Sequence, residues 1–323
     1  MNLVAEETKR AISVAERPEI LTAATTLRPD HICVCICTYK RPELLQRLLQ
    51  KLTEQETGGL ITFSAVIVDN DAGESARTVA ENFSLAFPVV YLVEPRRNIA
   101  LARNLAVENA EGDYLAFIDD DEFPVNEWLL LLYRTCKERG VDGVLGPVKR
   151  HFDEEPPQWL LKSRFYDRRV NPTGTTVEWR EARTGNVLLK KQVLTPGEKA
   201  FRPEFRAGED QDFFRRMIEK GQVFVWSAEA VAFETVPPSR WNRGYMLRKA
   251  LLRGATAALQ PTCGPFDIAK SCLAVLLYAV ALPFSILLGQ HRFMTLLVKM
   301  FDHLGKLFAK SGFNPIKEEY VTE

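Results

Sequence analysis

The chain has 323 residues, 46% of them hydrophobic and 10% aromatic, with 42 basic side chains balanced by 42 acidic ones. That much apolar material excludes a disordered or collagen-like polymer, and the length suits about two domains, or one large domain with an appendage. The neutral total hides a basic stretch: residues 237–310 carry ten Lys and Arg against Asp267 and Asp302, a local charge of +8, beside a long apolar run. Such a stretch reads as membrane-facing rather than nucleic-acid-binding, with a solvated helical surface as the alternative.

Residues 1–30 lack periodicity and read as an entry segment. Glu6, Glu7, Lys9 and Arg10 precede no apolar core, so the segment is not a secretory signal, which predicts a cytoplasmic catalytic part. Residues 31–38 then form a β-type run whose Cys33, Cys35 and Cys37 share one face, as buried thiols that cannot bridge one another. Cys136, Cys263 and Cys272 lack the paired spacing of a zinc site.

Pro42 opens a helix striped by Leu44, Leu45, Leu48, Leu49 and Leu52. Strands are predicted over 63–68 and 89–93 with a helix over 74–83 between them. A helix over 98–110 follows, then a buried strand over 114–118 that runs into Asp119-Asp120-Asp121-Glu122, and a helix from Pro124 that turns Trp128, Leu129, Leu132 and Tyr133 inward. Further on, 153–159 reads as a loop, 185–189 as a strand, 210–220 as a helix stopped at Gly221, and 222–226 as a strand. Residues 271–290 carry no charge, which is about the ~20 residues that cross a bilayer core. Pro283 and Ser285 leave a kinked or re-entrant helix open beside a single span. From Phe293, the apolar face of Leu296, Leu297, Met300, Phe301, Leu304, Leu307 and Phe308 is that of an interfacial amphipathic helix.

Strands alternating with helices over 31–139 predict a parallel, three-layer α/β sheet with ligands at the carboxyl ends of its strands. Asp69 and Asp119 to Asp121 fall at that edge. The chain has no GxG, GxxxxGK[ST], GxSxG or HExxH, which argues against dinucleotide, P-loop, α/β-hydrolase and zinc-protease chemistry. Asp119 and Asp121 lie on one side of a short extended segment and can hold a hard divalent cation; capping the next helix is the equally open alternative.

Five segments in order carry more than any one of them: Thr38-Tyr39-Lys40-Arg41-Pro42-Glu43, Val68-Asp69-Asn70-Asp71, Asn98-Ile99-Ala100-Leu101-Ala102-Arg103-Asn104, Phe117-Ile118-Asp119-Asp120-Asp121-Glu122 and Gly208-Glu209-Asp210. Together they resemble the family 2 glycosyltransferases of the GT-A fold. Arg183-Thr184-Gly185-Asn186 and Val236-Pro237-Pro238-Ser239-Arg240 add a likeness to exopolysaccharide enzymes of the succinoglycan type. The resemblance implies a three-layer α/β/α nucleotide-sugar-binding domain over 31–255, after an extension over 1–30 and before a membrane-associating helical region over 256–323.

It also implies site roles. Thr38, Tyr39, Arg41, Asp69, Asp71, Asn98, Arg103, Asp119 and Asp120 would bind the nucleotide sugar, with Asp121 and Asp119 holding Mn2+ or Mg2+. Asp210 would be the base and Glu209 a neighbouring sugar contact; Glu234 stands where many members have a histidine. The implied partners are a nucleoside-diphosphate sugar (UDP-glucose foremost), a lipid-linked saccharide acceptor and the cytoplasmic face of a bacterial membrane, with no nucleic acid. Two other readings stay open at this stage: a sugar nucleotidyltransferase, and a silent membrane-bound assembly partner.

Overall fold

A computed structural model describes residues 28–195, 197–205, 208–260 and 262–313, so the extension over 1–30 lies outside it apart from its last three residues. In chain order the elements are β1 (Asp30–Thr38), α1 (Pro42–Thr53), β2 (Ile61–Asp69), α2 (Arg77–Phe83), β3 (Val89–Val93), α3 (Ile99–Asn109), β4 (Tyr114–Phe117), β5 (Glu122–Pro124) and α4 (Trp128–Arg139). They continue with β6 (Gly143–Leu145), β7 (Val148–His151), α5 (Gln158–Ser163), β8 (Val187–Lys190), α6 (Glu209–Glu219), β9 (Phe224–Trp226), β10 (Ala232–Thr235), α7 (Arg243–Leu259), α8 (Pro265–Ser285) and α9 (Gln290–Lys310).

Side-chain alternation along β1 builds the three layers. Ile32, Val34 and Ile36 point to a core made with Leu45, Leu48, Leu49 and Leu52 of α1 and Trp128, Leu129 and Leu132 of α4. Cys33 and Cys35 point the other way, to a core with Ala100, Ala102 and Ala106 of α3 and Phe213 and Phe214 of α6. Both faces being covered, the strand reads as a continuous apolar run. The six cysteines are unbridged, as expected.

The main sheet has the order β3-β2-β1-β4-β8-β6-β9. β1, β2, β3 and β4 are parallel, whereas β8 runs antiparallel to both β4 and β6. The parallel pattern therefore stops at β4. The crossover β4–α4–β6 leaves a gap one strand wide, and β8 fills it from the opposite direction.

A second sheet, β5-β10-β7, stands beside the first. It takes residues 122–124, of which Pro124 is expected from sequence to open the next helix; the pairing with β10 delays α4 to Trp128. Likewise α5 starts at Gln158, inside the stretch expected as loop.

The C-terminal helices form a layer of their own. α8 and α9 make an antiparallel hairpin about Gly289 (φ 100°), with Ser271 hydrogen-bonded to His303 and the Tyr278 and His303 rings 6.0 Å apart. α9 crosses α7 very closely. A Cβ on Gly254 would sit 1.9 Å from the Asp302 carbonyl oxygen, and one on Gly305 would sit 2.1 Å from that of Leu251. Within residues 265–288 the apolar 18-residue window has a mean hydropathy of 2.3, with 11% of it buried; Leu273, Leu276, Leu277, Val280 and Phe284 all project outward. This helix is long and apolar enough to cross a membrane.

Candidate active site

The carboxyl ends of β1 and β4, the start of α6 and one face of α7 enclose a cleft of about 1200 Å³. At its floor Thr38 Oγ1, the last group of β1, donates to Asp120 Oδ2 at 2.8 Å. Arg41 Nη1 reaches Asp120 Oδ1 at 3.1 Å and Asp121 Oδ2 at 3.3 Å. Arg240 then clamps Asp121 at 2.8 Å and Glu234 at 3.1 Å, and Arg168 takes the other Glu234 oxygen at 2.7 Å. On the opposite flank Arg103, buried on α3, bonds Glu209 through Nη1 and reaches Asp119 at 3.3 Å through Nη2. One guanidinium thus ties the end of β4 to the first turn of α6, a residue 106 positions away.

Burial sets the charge state of this cluster. It pushes Asp120 up to about 7, helped by Asp121 and Asp119 and opposed by Arg41 and Thr38. It also pushes Glu209 up to about 7 against the pull of Arg103. Asp119, Glu122 and Glu234 are raised for the same first cause. Asp121 alone among them goes down: burial works against it, but Arg240 and Arg41 hold it ionised. Asp119 sits deep in the cleft with 45% of its side chain open to it.

The oxygen donors suit a hard cation. Among the described residues no three Asp, Glu, His or Cys side chains converge into a cage. Two carboxylates with diphosphate oxygens completing the shell is, however, the ordinary arrangement for magnesium in such sites. Two further observations agree. Glu122 Oε2 is buried without a hydrogen-bond partner among the described residues. Gly185 is pinched so that a Cβ there would lie 2.6 Å from Glu122 Oε1 and 2.8 Å from Asp119 Oδ2.

Of the residues singled out in the sequence, Thr38, Tyr39, Arg41, Arg103, Asp119, Asp120, Asp121, Glu209 and Asp210 line this one cleft, as does Glu234. Asp210 is half-buried, its Oδ1 accepting from the Gln211 N–H at 2.7 Å. Asp69, Asp71 and Asn98 stand behind the wall. The buried Asp69 carboxylate accepts from the Asp71 and Ala76 backbone N–H groups and from Tyr91 Oη. Asp71 accepts from Gly73 N, and Asn98 caps α3 through Ala100 N and Leu101 N.

Sequence reasoning missed Arg168, which lies in irregular chain with no periodic signal, and the buried Glu122. It also assigned Arg240 to the membrane-facing basic group, whereas Arg240 is 5% exposed and belongs to the cleft. Lys249 and Arg253 from the same group line the cleft too, Arg253 being paired with Asp302. Asn186 is positioned at φ 93°; it accepts from Trp128 Nε1 at 2.7 Å and donates to the Pro147 and Ala230 carbonyls, joining both sheets behind the site.

Comparison with known proteins places this arrangement. Residues 33–202 match the model of the glycosyl transferase family 2. The chain is 33% identical over 230 residues to the succinoglycan biosynthesis protein ExoM of Rhizobium meliloti, covering 70% of this chain and 74% of that one. It is 30% identical over 211 residues to the glycosyltransferase AglE of Haloferax volcanii, covering 64% and 67%. Among solved structures it superposes on the mannosyltransferase PcManGT from Pyrobaculum calidifontis in complex with GDP-Man and Mn2+ with a TM-score of 0.59, at 15% identity over 87% of each chain. At that identity the likeness is one of fold, the α/β GT-A type.

Proposed function

The chain belongs to glycosyl transferase family 2, and from that premise we propose that it moves one sugar, with inversion, from a UDP-sugar such as UDP-glucose to a lipid-linked saccharide in exopolysaccharide assembly. The observation that carries this reading is the Arg103 bridge. It sets the Asp119-Asp120-Asp121 segment and the Glu209-Asp210 pair on two sides of one cleft, the separation that a displacement at an anomeric carbon needs between leaving group and base.

Thr38, Tyr39 and Arg41 receive the nucleotide, while Asp69, Asp71 and Asn98 hold the neighbouring loops that follow β2 and precede α3. Arg103 offers its fork to the diphosphate. Asp121 and Asp119 would hold Mn2+ or Mg2+, which when bound neutralises charge on the departing diphosphate. Asp210 takes the proton of the acceptor hydroxyl as its oxygen bonds to the anomeric carbon and the bond from that carbon to the diphosphate breaks. Glu209, held by Arg103, lies against the sugar. A single displacement leaves the product with the opposite anomeric configuration and the nucleoside diphosphate as leaving group.

The C-terminal hairpin supplies the membrane attachment. The outward apolar side of α8 enters the inner leaflet, and α9 brings the chain back along α8 to α7. This favours a re-entrant or surface-lying anchor on the cytoplasmic side over a single span, and keeps the basic side chains at one face.

The test is calorimetric titration of the detergent-solubilised protein with UDP, GDP and dTDP, with and without Mn2+, beside Asp121→Asn. UDP is expected to bind in a Mn2+-dependent manner that the variant loses. A folded protein that binds none of the three, or binds equally without the cation, overturns the reading.

A further inference from the structure

Gln260, the residue that closes α7, is 7% exposed and lines the cleft. Among the described residues neither its Nε2 nor its Oε1 has a hydrogen-bond partner. A buried carboxamide left unpaired on both sides disfavours the folded state, and sites that tolerate one generally do so for a ligand. Its neighbourhood identifies which ligand. Gly208 precedes the Glu209-Asp210 pair, and a Cβ placed there would fall 2.7 Å from Thr256 Cγ2 and 3.9 Å from Gln260 Nε2. The amide therefore sits at the N-terminal end of α6, whose second residue is Asp210.

The cleft continues in the same direction. Beyond Gln260 it is lined by Thr262, Cys263 and Asp267, the turn into the apolar helix α8. The cleft thus reaches the start of α8 as well as the Thr38 and Asp120 edge, and a saccharide on a lipid carrier held at α8 would meet the part of the lining that includes Gln260.

We propose that Gln260 is a specificity-determining residue for the acceptor: its carboxamide pairs with hydroxyls of the acceptor's terminal sugar and holds the attacking one at Asp210. The inference rests on the transferase reading above and adds the residue that reads the acceptor. A carboxamide suits the task because its N–H2 donates and its carbonyl accepts, and adjacent sugar hydroxyls can do both. It stays neutral across the working pH range, so the contact adds no charge next to the base.

The experiment uses the full chain in detergent with UDP-glucose as donor and a panel of octyl β-glycosides as acceptor probes. Gln260→Met and the shape-preserving Gln260→Glu are each measured for acceptor KM, kcat, UDP affinity and thermal midpoint. Gln260→Met is expected to raise acceptor KM by about tenfold or more, because a site built around a hydrogen bond to a hydroxyl discriminates strongly once the bond is lost. UDP affinity should stay within about twofold and the thermal midpoint should not fall, since an unpaired amide has been removed. Gln260→Glu keeps an accepting oxygen but loses both donors and adds a carboxylate next to the base, and should raise acceptor KM at least as much as Gln260→Met. An unchanged acceptor KM in Gln260→Met, or a loss of UDP affinity in step with it, overturns the assignment and leaves the transferase reading intact. Absence of transfer by the wild type to every probe overturns both.

Discussion

Arg103→Met is the most informative single change at the site, because Arg103 is 7% exposed and its partner Glu209 is 5% exposed. Removing one member of so well buried a pair costs about 3–5 kcal/mol when the other stays charged. Glu209, however, already titrates at about 7 in the folded protein, raised above its unfolded value by burial. Below that pH it holds a proton in wild type and variant alike, and the penalty shrinks to the lost hydrogen bonds, about 1–2 kcal/mol. Above pH 7 the wild-type group ionises against Arg103, while the variant's Glu209, deprived of that cation, keeps its proton to higher pH. The difference then grows by about 1.4 kcal/mol per pH unit until the variant's own pKa is passed. Urea unfolding followed by tryptophan fluorescence at pH 5.5 and pH 8.5 should therefore give a destabilisation near 1–2 kcal/mol at the lower pH and about 3–5 kcal/mol at the higher. Equal values at the two, or a larger one at pH 5.5, would refute the assignment of Glu209 as the buried, proton-exchanging partner of Arg103.

Other perturbations reach the rest of the molecule. Asn186→Ala strands the Trp128 indole N–H and the Pro147 and Ala230 carbonyls and should cost about 2–4 kcal/mol in urea unfolding; a loss under about 0.5 kcal/mol would contradict the bonding described. Gly254→Ala inserts a methyl against the Asp302 carbonyl and should lower stability by about 1–3 kcal/mol. Gly264→Ala, where no atom lies within 4 Å, is the control, and equal melting temperatures for the two would sink the close crossing of α7 and α9. Replacing the outward Leu276 and Val280 by Glu should abolish flotation with anionic vesicles, at about 2.5–3.5 kcal/mol per inserted charge, with the melting temperature held within about two degrees. Undiminished flotation would remove α8 as the anchor.

The sheet from β1 to β4 and the helices between them were legible because each strand carries an unbroken apolar run, even in the four-residue β4, and α1 keeps strict leucine spacing. The short strands β6, β7 and β10 have three or four residues each, too few to show a period. The direction of β8 is a tertiary outcome: its Val187-Leu188-Leu189 run suits a buried strand of either sense. At the site the acidic motifs were visible as local patterns, but their partners were not. Arg240 is 119 positions from Asp121, and its neighbours made it look like one more cation of a basic tail. Asp69 shows the converse difficulty. An aspartate after a strand reads the same in sequence whether or not it is also engaged, as Asp69 is, by two backbone N–H groups of its own loop and the Tyr91 hydroxyl of β3.

The antiparallel insertion of β8 also bears on how the chain is made. β4 is complete at Phe117, but the strand that covers its far edge begins at Val187, roughly 70 residues later. At synthesis rates of about 5–20 residues per second the open edge of a fully apolar strand waits for roughly 4–14 s, far longer than hairpin pairing takes. Such an edge is an invitation to other chains, so the nascent protein is most in need of a chaperone in that interval. The sheet closes when β8 and then β9 arrive, before the apolar helix α8 has emerged. The main sheet is thus complete before α8 is made, whereas the cleft gains its last lining, Asp267 of α8 and Val298 and Lys306 of α9, only afterwards.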